Sequence, residues 1–552
     1  MTTLKKNRIL FVLLFFMAII ILLILRLMWI QIFMSGKLAM AVERQTTSYI
    51  VLKPERGTIY DINGSILATN IPAGDVFASP KYIKYPGKVS DEIYKYLNID
   101  RNKLYKILSN KGSEWSVLSR GISFDNANKI KKLNIPGIYV ENTNIRSYPD
   151  NNLLSQTLGY TGIDGDGLFG LEYSCNNYLK GIPGLEITNT DAEGTATGLP
   201  NKLYKPQKGN DIVLTIDSVI QGYVDKAVEK AYEKYSPTGG ISAIVMNPKT
   251  GDILAISNKP DFNPNSPDKN DGNKYWGNPA ISEIYEPGSV FKVVTASAAL
   301  EEAVTTPDEQ FYDPGYYMVS GRKINSWTKL GSINFAQAVE KSSDTVFMEI
   351  GERLGLQKLY DYIHAFGFGT PTGIDLPGEG KGMIIPPEKV NSIDLASISF
   401  GQGIAVTPLQ MLTAFSATIN GGYLVKPNIV KIIKDNNKII KECKPQIVRQ
   451  VISSKTSKTL KYMLQKVVDE GTGKAAQIPG YTVGGKTGTT ENYSPGKYTA
   501  SFAGFAPVDN PKLAIIIVIK NPTKNGHMGG EIAAPVAQEI LANSLRYLNV
   551  EK

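Results

Sequence analysis

An unbroken apolar run near the N-terminus constrains this chain most strongly, because such a run must be buried in protein or in lipid. It covers residues 9–25 and resumes after Arg26 as far as residue 33. About 20 apolar residues are enough for a helix to span a bilayer. Three basic residues lie within the first eight. The positive-inside rule therefore predicts a cytoplasmic tail over residues 1–8 and a transmembrane helix over residues 9–33, with the rest outside.

A cleaved signal peptide is the alternative interpretation of this run. Its apolar region would be about 7–15 residues long and would end at a small-x-small cleavage site. The run is longer than that, and no such site ends it. We therefore expect a single-pass protein of the cell membrane with a large extracytoplasmic part.

The composition excludes several kinds of catalytic and metal site. The 552 residues include only two His and two Cys. These numbers exclude a centre of three or four His and a zinc ribbon, and they disfavour a Ser-His-Asp triad. Any nucleophilic catalysis must therefore use another base. Cys175 and Cys443 lie far apart in the sequence, and we predict that both are unpaired and structural.

The charge balance indicates an anionic environment. Lys and Arg outnumber Asp and Glu by 60 to 51, which gives a net charge of +9. The basic residues are scattered and lack the dense block that marks nucleic-acid-binding tails. We predict no nucleic-acid partner, and a surface that works beside anionic lipid or an anionic polymer.

The external part divides into two predicted domains. Residues 34–205 mix short strand-like runs, turn clusters and short helical stretches, which indicates an α+β pedestal. Residues 206–552 set amphipathic helices against β-rich runs, a pattern typical of an antiparallel sheet flanked by helices. The predicted helices of this second domain are 218–235, 291–303, 334–354, 408–419, 454–471 and 533–548, and its predicted strands are 212–216, 241–246, 499–505 and 513–519.

Ser289 and Lys292 form the first candidate catalytic motif. They lie three residues apart at the start of a predicted helix and therefore on one face of it. A neutral lysine can act as a base if burial or nearby positive charge lowers its pKa. The helix N-terminus also offers backbone N–H groups to a developing oxyanion. Alone the pattern is weak, because a solvent-facing Ser and Lys would give the same spacing.

Two further motifs strengthen this hypothesis. Ser342, Ser343 and Asp344 form the second, and the third is the Gly-Gly-Lys-Thr-Gly-Thr-Thr run over residues 484–490. With the first motif they follow the order and approximate spacing of the S-x-x-K, S-x-N and K-T-G set. With these motifs the chain resembles a class B penicillin-binding protein over nearly its whole length. Further segments similar to the family are residues 56–61, 146–149, 167–172, 214–217, 247–251, 400–403 and 407–410.

The resemblance implies a fold and an activity. Residues 34–205 would be a pedestal of the dimerisation type, and residues 206–552 a penicillin-recognising transpeptidase domain with a serine β-lactamase-like α/β fold. The expected reaction is D,D-transpeptidation, which cross-links peptidoglycan stem peptides during bacterial cell-wall synthesis and which β-lactams inhibit covalently. No glycosyltransferase module is visible in the sequence, so the resemblance implies a polytopic membrane glycosyltransferase as partner. Elongation, division and spore-wall synthesis all remain open.

The resemblance also assigns catalytic roles. Ser289 would attack the carbonyl of the penultimate D-Ala, and Lys292 would be the general base. Ser342 would relay protons between leaving and attacking amines. Lys486 would attract the substrate carboxylate and help to keep Lys292 neutral.

Residues that follow Lys486 would bind the substrate. The hydroxyls of Thr487 and Thr489 would contact its carboxylate, with Gly488 between them in the same motif. The backbone N–H groups of Ser289 and Thr489 would form the oxyanion hole.

Asp344 departs from the family pattern, which has Asn at this position. An ionised Asp accepts hydrogen bonds but cannot donate one. In the simpler interpretation Asp344 pairs with Lys292 or Lys486, which would favour a protonated lysine and oppose its use as a base.

The alternative is a cation that neutralises Asp344. Some family members with Asp here look to be zinc-containing, and Asp344, His527 and Glu491 would be the candidate ligands. Cys443 is a weaker candidate. His364 has apolar helical neighbours and is predicted to be a packed side chain.

Two other functions share these motifs. A β-lactamase or carboxypeptidase would hydrolyse the acyl-enzyme, but a secreted β-lactamase needs neither the anchor nor the pedestal, and a deacylating water needs its own base. A non-catalytic scaffold that binds β-lactams is the other alternative, since Asp344 is unusual.

Overall fold

The computed structural model describes residues 3–38, 40, 47–189, 202–267, 276–491 and 495–551. The chain divides into two compact units. The N-terminal unit comprises Met1–Glu55 and Gly181–Gly209, and the main unit comprises Arg56–Lys180 and Asn210–Lys552.

The N-terminal unit contains the helix that the apolar run predicts. This helix spans Thr3–Phe33, and its section Lys5–Phe33 is long and apolar enough to cross a membrane. Its large apolar side chains are exposed on the protein surface, as expected for a helix that could serve as a membrane anchor. The unit also contains an antiparallel sheet with the strand order Thr47–Leu52, Gly184–Asn189, Lys202–Tyr204.

A seven-stranded sheet connects sequence-distant parts of the main unit. Its strand order is Lys438–Glu442, Val430–Asp435, Asp211–Leu214, Ile59–Tyr60, Ile66–Ala78 and Ser116–Ser123, and Ile138–Ser147 also pairs with Ile66–Ala78. The short strand Ile59–Tyr60 lies parallel to Asp211–Leu214. Helices Pro86–Ile93, Arg101–Ser109 and Phe124–Lys132 contribute to a separate small core beside its last strands. Short helices follow at Ser155–Leu158, Gly170–Ser174 and Asn176–Leu179.

A five-stranded antiparallel sheet lies at the centre of the main unit. Its strand order is Ile253–Lys259, Ile241–Met246, Leu513–Lys520, Tyr498–Ala506 and Gly484–Glu491. Successive residues of a strand face opposite sides. Ala243 and Val245 accordingly join the core with helices Ser218–Tyr235 and Ala534–Tyr547, whereas Ile244 and Met246 join the core with Lys292–Glu301 and Pro408–Ile419. The predicted antiparallel sheet flanked by helices is confirmed.

The remaining elements of the main unit are helices, single 3₁₀ turns and two-stranded pairs. The other helices are Pro279–Ser282, Phe335–Glu340, Asp344–Ala365, Ser392–Ser399, Ser454–Asp469 and Gly529–Ile532, with single 3₁₀ turns at Pro80–Tyr82, Tyr94–Tyr96, Gly288–Val290, Pro387–Lys389 and Lys474–Ala476. Two-stranded pairs form between Gln310–Asp313 and Gly331–Asn334, Tyr316–Val319 and Arg322–Asn325, Met383–Ile384 and Ile404–Ala405, and Tyr423–Val425 and Ile447–Gln450.

The prediction of one continuous helix over residues 334–354 is wrong. The structure has a short helix Phe335–Glu340, a turn, and then Asp344–Ala365. Within the turn Ser342 has a φ of 60°, which a right-handed helix cannot contain. The break therefore moves the second motif from a helical face to a turn.

Candidate active site

Ser289 lies in the tight turn that opens helix Lys292–Glu301. The turn Gly288–Val290 is a single 3₁₀ turn, and the Ser289 side chain is half-buried. Gly288 has a φ of 52°, and a Cβ there would lie 2.4 Å from Thr490 Oγ1. Only glycine therefore fits the residue before Ser289 without rearrangement.

The strand Gly484–Glu491 lies directly beside this turn. The hydroxyl of Thr490 donates a hydrogen bond to the carbonyl of Glu286 at 3.1 Å. A Cβ on Gly488 would lie 2.8 Å from the Pro287 carbonyl oxygen. The strand can approach the Ser289 turn this closely because Gly488 has no side chain.

Two buried lysines converge on the hydroxyl of Ser342. Lys292 Nζ lies 3.2 Å from Ser342 Oγ and 2.8 Å from the Ser342 carbonyl oxygen. Lys486 Nζ lies 2.9 Å from the same Oγ. Lys292 also pairs with Asp344 Oδ1 at 2.7 Å. The structure thus brings together four residues that the sequence predicted, and Asp344 pairs with Lys292 as the simpler interpretation expected.

Burial lowers the pKa of both lysines. For Lys292 the loss of hydration is the largest effect, and the negative charge of Asp344 opposes it. For Lys486 burial lowers the pKa well below its ordinary value, the charge of Lys292 lowers it further, and Asp344 opposes both effects. Two lysines lie together while Asp344 contacts Lys292, so the cluster favours loss of a proton from one lysine. The pairing with Asp344 thus limits the lowering of the Lys292 pKa without abolishing it.

Among the described residues, no hydrogen bond connects Ser289 Oγ with Lys292 Nζ. The two residues are on neighbouring turns of backbone, and Lys292 is held through Ser342 and Asp344 instead. Catalytic hydrogen bonds are often loose before substrate binds.

The predicted substrate-binding threonines, Thr487 and Thr489, lie within the same strand. Thr487 Oγ1 lies 2.8 Å from Thr472 Oγ1, and Thr489 Oγ1 accepts a hydrogen bond from the Gly529 amide at 2.9 Å. Thr489 is half-buried and keeps its own proton for donation, because its oxygen acts as an acceptor in that bond.

Two residues outside the three motifs also hold the site. The indole of Trp327 donates to the Ser342 carbonyl at 3.1 Å, and the hydroxyl of Ser343 donates to the carboxylate of Asp313 at 2.6 Å. Neither residue was predicted, because no spacing rule connects them to the motifs. The sequence offers no local signal for Asp313, which ends the mixed run Gln-Phe-Tyr-Asp over residues 310–313.

The predicted zinc ligands are not gathered at one point. No group of three or more His, Cys, Asp or Glu suited to a metal occurs within the described ranges. Asp344 contacts Lys292, while the exposed ring of His527 stacks on Tyr498 at 4.3 Å, the residue opposite Glu491 in the strand register. We therefore derive no catalytic step through a metal, and zinc binding stays a prediction.

The remaining His and both Cys are not part of the lysine cluster. Cys175 and Cys443 are free thiols, and burial raises the pKa of Cys175 to about 11, which leaves that thiol unreactive. The prediction that His364 is packed is wrong: it lies in helix Asp344–Ala365 but is exposed, with its ring 6.2 Å from that of Tyr360. Its apolar neighbours in sequence belong to another face of the helix.

Known families match both predicted domains. Residues 241–542 match the penicillin binding protein transpeptidase domain, and residues 51–214 match the penicillin-binding protein dimerisation domain.

Several curated proteins are similar to nearly the whole chain. Stage V sporulation protein D of Bacillus subtilis is 41% identical, covering 99% of this chain and 86% of that protein. The peptidoglycan D,D-transpeptidase FtsI of Buchnera aphidicola is 31% identical, covering 96% of this chain and 93% of that protein.

Solved structures agree with these matches. Penicillin binding protein 3 of Mycobacterium tuberculosis in complex with aztreonam has a TM-score of 0.71 and 29% identity, covering 91% of this chain and 98% of that one. Penicillin binding protein 2X of Streptococcus thermophilus shares the fold, with a TM-score of 0.75 and 24% identity, covering 90% of this chain and 80% of that one. Because the two family models together match most of the chain and the Bacillus subtilis relative matches 99% of it, the chain belongs to the class B penicillin-binding protein family.

Proposed function

We propose that this chain is a peptidoglycan D,D-transpeptidase that cross-links stem peptides through an acyl-enzyme on Ser289. The convergence of Lys292 and Lys486 on the Ser342 hydroxyl is the observation that carries the proposal. It provides a base and a proton relay beside a serine without any histidine.

Acylation begins when Ser289 Oγ attacks the carbonyl carbon of the penultimate D-Ala. Lys292 in its neutral form takes the hydroxyl proton, which burial favours by lowering its pKa. The C–N bond to the terminal D-Ala then breaks, and the departing amine takes a proton through the Ser342 hydroxyl. Transfer to an acceptor amine reverses these proton movements, and Ser289 is regenerated.

Lys486, Thr487 and Thr489 are the groups that receive the substrate carboxylate. Lys486 contributes positive charge, and the threonine hydroxyls contribute donors. The amide of Ser289 lies at a helix start, where backbone N–H groups have no partner within the helix. With the amide of Thr489 it would stabilise the oxyanion, a contribution typically worth about 10²–10³ in rate for each donor.

Covalent labelling tests the proposal. The full chain in detergent is incubated with fluorescent penicillin, and the labelled peptide is identified by mass spectrometry. We expect one adduct on Ser289, none in Ser289→Ala, and an undiminished adduct in the control Ser282→Ala, which alters a nearby serine bonded to the Asn278 carbonyl. An absent adduct in the wild-type chain would favour the non-catalytic scaffold, and a rapidly released one the β-lactamase or carboxypeptidase.

The membrane arrangement and the partner are part of the same proposal. The apolar helix Lys5–Phe33 and the basic residues that precede residue 9 support a cytoplasmic N-terminus with the transpeptidase part outside. A polytopic membrane glycosyltransferase would supply the glycan strands. Protease protection in spheroplasts tests the topology: digestion from outside should remove the transpeptidase part and leave the N-terminal tail intact.

A further inference from the structure

Asp313 is a fully buried carboxylate close to the second motif. It ends strand Gln310–Asp313 and has 0% exposure. Its Oδ1 accepts from the Gly315 amide at 2.8 Å, and its Oδ2 accepts from the Ser343 hydroxyl at 2.6 Å. Its side chain forms no ion pair in the described part of the chain. Burying a carboxylate that only neutral groups contact costs free energy of folding. A functional role would explain why Asp313 is found at this position.

The direction of the Ser343 bond follows from its other contact. Ser343 caps helix Asp344–Ala365, where its Oγ accepts from the Val346 amide at 3.1 Å. A serine hydroxyl has only one proton, and that proton is therefore directed at Asp313. The 2.6 Å distance lies in the range of strong charge-assisted O–H···O⁻ bonds.

This bond anchors the strained residue next to it. Ser342 has a φ of 60°, a conformation that is unfavourable for a non-glycine residue and persists only where its surroundings enforce it. Its backbone is held on one side by the Trp327 indole and Lys292 and on the other by the bonded Ser343. In this conformation the Ser342 hydroxyl contacts both lysines.

We propose that Asp313 is a positioning residue for transpeptidation, which fixes the turn of Ser342 through the buried hydroxyl of Ser343. The proposal rests on the proposed function, because it gives Ser342 the role of proton relay. A displacement of about 1 Å in such a site can lower the rate about a hundredfold.

Besides its role in position, the negative charge of Asp313 acts on the pKa of Lys292. It raises the pKa of Lys292, as Asp344 does more strongly, whereas burial lowers it. The other groups that face Lys292 are the Phe347 ring, 5.3 Å from its Nζ, and Lys486. Loss of the Asp313 charge therefore moves the pKa of Lys292 down, and the acidic limb of the acylation rate moves to lower pH.

Two variants separate position from charge. Asp313→Asn removes the charge and replaces one carboxylate oxygen with an NH₂ donor, so that if the Gly315 amide keeps its acceptor, the Ser343 hydroxyl can no longer donate to the other atom. Ser343→Ala keeps the carboxylate and its Gly315 bond and removes the connecting hydroxyl. The control is Asp308→Asn, an exposed carboxylate in the segment before the strand.

The measurement is β-lactam acylation of the full chain in detergent, resolved into the binding constant and the acylation rate constant from acidic to alkaline pH. We expect both variants to bind the β-lactam as the wild type does, while the acylation rate constant falls roughly 10-fold to 100-fold per labelled molecule. In Asp313→Asn the acidic limb also shifts to lower pH. Asp308→Asn should match the wild type in both respects.

Each outcome decides one question. Acylation rate constants within twofold of wild type in both variants would overturn this inference while the wild-type adduct on Ser289 upheld the proposed function. The absence of that adduct would overturn both. If Asp313→Asn does not fold, Ser343→Ala decides: a reduced rate constant supports the positioning role, and an unchanged one refutes it.

Discussion

Two buried ionic clusters in the main unit share one plan but differ in their cations. Glu172 is fully buried and accepts from the Nε atoms of Arg56 and Arg146, each at 2.6 Å. Asp344 lies beside Lys292, with Lys486 one hydroxyl away. Each cluster thus combines one carboxylate with two basic side chains, although Glu172 contacts both arginines and Asp344 contacts Lys292.

The difference between arginine and lysine decides what each cluster can do. Arginine keeps its charge in proteins, whereas a buried lysine readily loses its proton. Arg56 also donates to the carbonyl oxygens of Gly165 and Glu172, and Arg146 to that of Gly57. The arginine cluster thus ties distant backbone segments together permanently. The lysine cluster can exchange protons, which is what acyl transfer requires.

Replacing Lys292 with arginine should have the largest effect on acylation, because it gives the lysine cluster a side chain that, like those of the arginine cluster, cannot release its proton. Lys292→Arg retains the charge but has no accessible neutral form. We expect β-lactam acylation to slow by about 10²–10⁴-fold, the usual contribution of a general base. Stopped-flow acylation measures the rate, with Lys341→Arg as control. A near-wild-type rate would mean that Lys292 is not the base.

Removing the carboxylate of the arginine cluster should affect stability instead. Glu172→Gln leaves two buried guanidinium groups short of a counter-charge, and breaking such a buried pair typically destabilises by about 3–5 kcal/mol. Thermal unfolding followed by circular dichroism should show a much lower midpoint, while the folded fraction reacts with penicillin normally. Glu141→Gln, at an exposed position, should leave the midpoint unchanged. An equally active and equally stable Glu172→Gln would contradict the structural role.

Asp344→Asn should move the pH dependence of the reactive cluster with little effect on stability. Asp344 raises the pKa of Lys292, and the base works only when neutral. Its removal lowers that pKa, so the acidic limb of acylation shifts to lower pH. At a pH on that limb, the rate relative to the plateau should rise several-fold. An unmoved limb would show that Asp344 does not control the proton on Lys292.

The same variant tests zinc. Metal analysis of the purified wild type and Asp344→Asn would support the predicted site if the wild type carried stoichiometric zinc and the variant lost it. A wild type without stoichiometric zinc would end that hypothesis.

Breaking an exposed ion pair should have the smallest effect on stability and acylation. Arg101 and Asp91 pair on the surface, with about half of each side chain exposed. Water screens such pairs, and many contribute nothing measurable. Arg101→Ala should leave both the unfolding midpoint and acylation at wild-type values. A clear loss of stability in Arg101→Ala would show that burial does not explain why the Glu172 cluster contributes more to stability than the exposed pair.

Local signals made some elements predictable. Helix Ser218–Tyr235 was predicted with its observed bounds, because Asp217 caps it through the amides of Val219 and Ile220 and its apolar pattern is regular. The roles at Ser289, Lys292, Ser342 and Lys486 came from motif spacing and resemblance, and the structure gathers Lys292, Ser342 and Lys486 at one point.

Tertiary contacts made other features unpredictable. The break at Ser342 depends on Asp313, Trp327 and Lys292, which lie 15 or more residues away in sequence. The exposure of His364 depends on which face of its helix is covered, and its neighbours in sequence did not show that. Motif spacing identifies reactive residues but not the residues that hold them.

Selection for heat resistance and selection for catalysis should oppose each other at Ser342. Glycine adopts a φ of 60° freely, and a Ser342→Gly chain would escape the strain that the present turn maintains. It would also lack the hydroxyl that both lysines contact. A library of variants chosen for stability alone is therefore expected to accumulate glycine at this position and to yield robust proteins that no longer cross-link a cell wall.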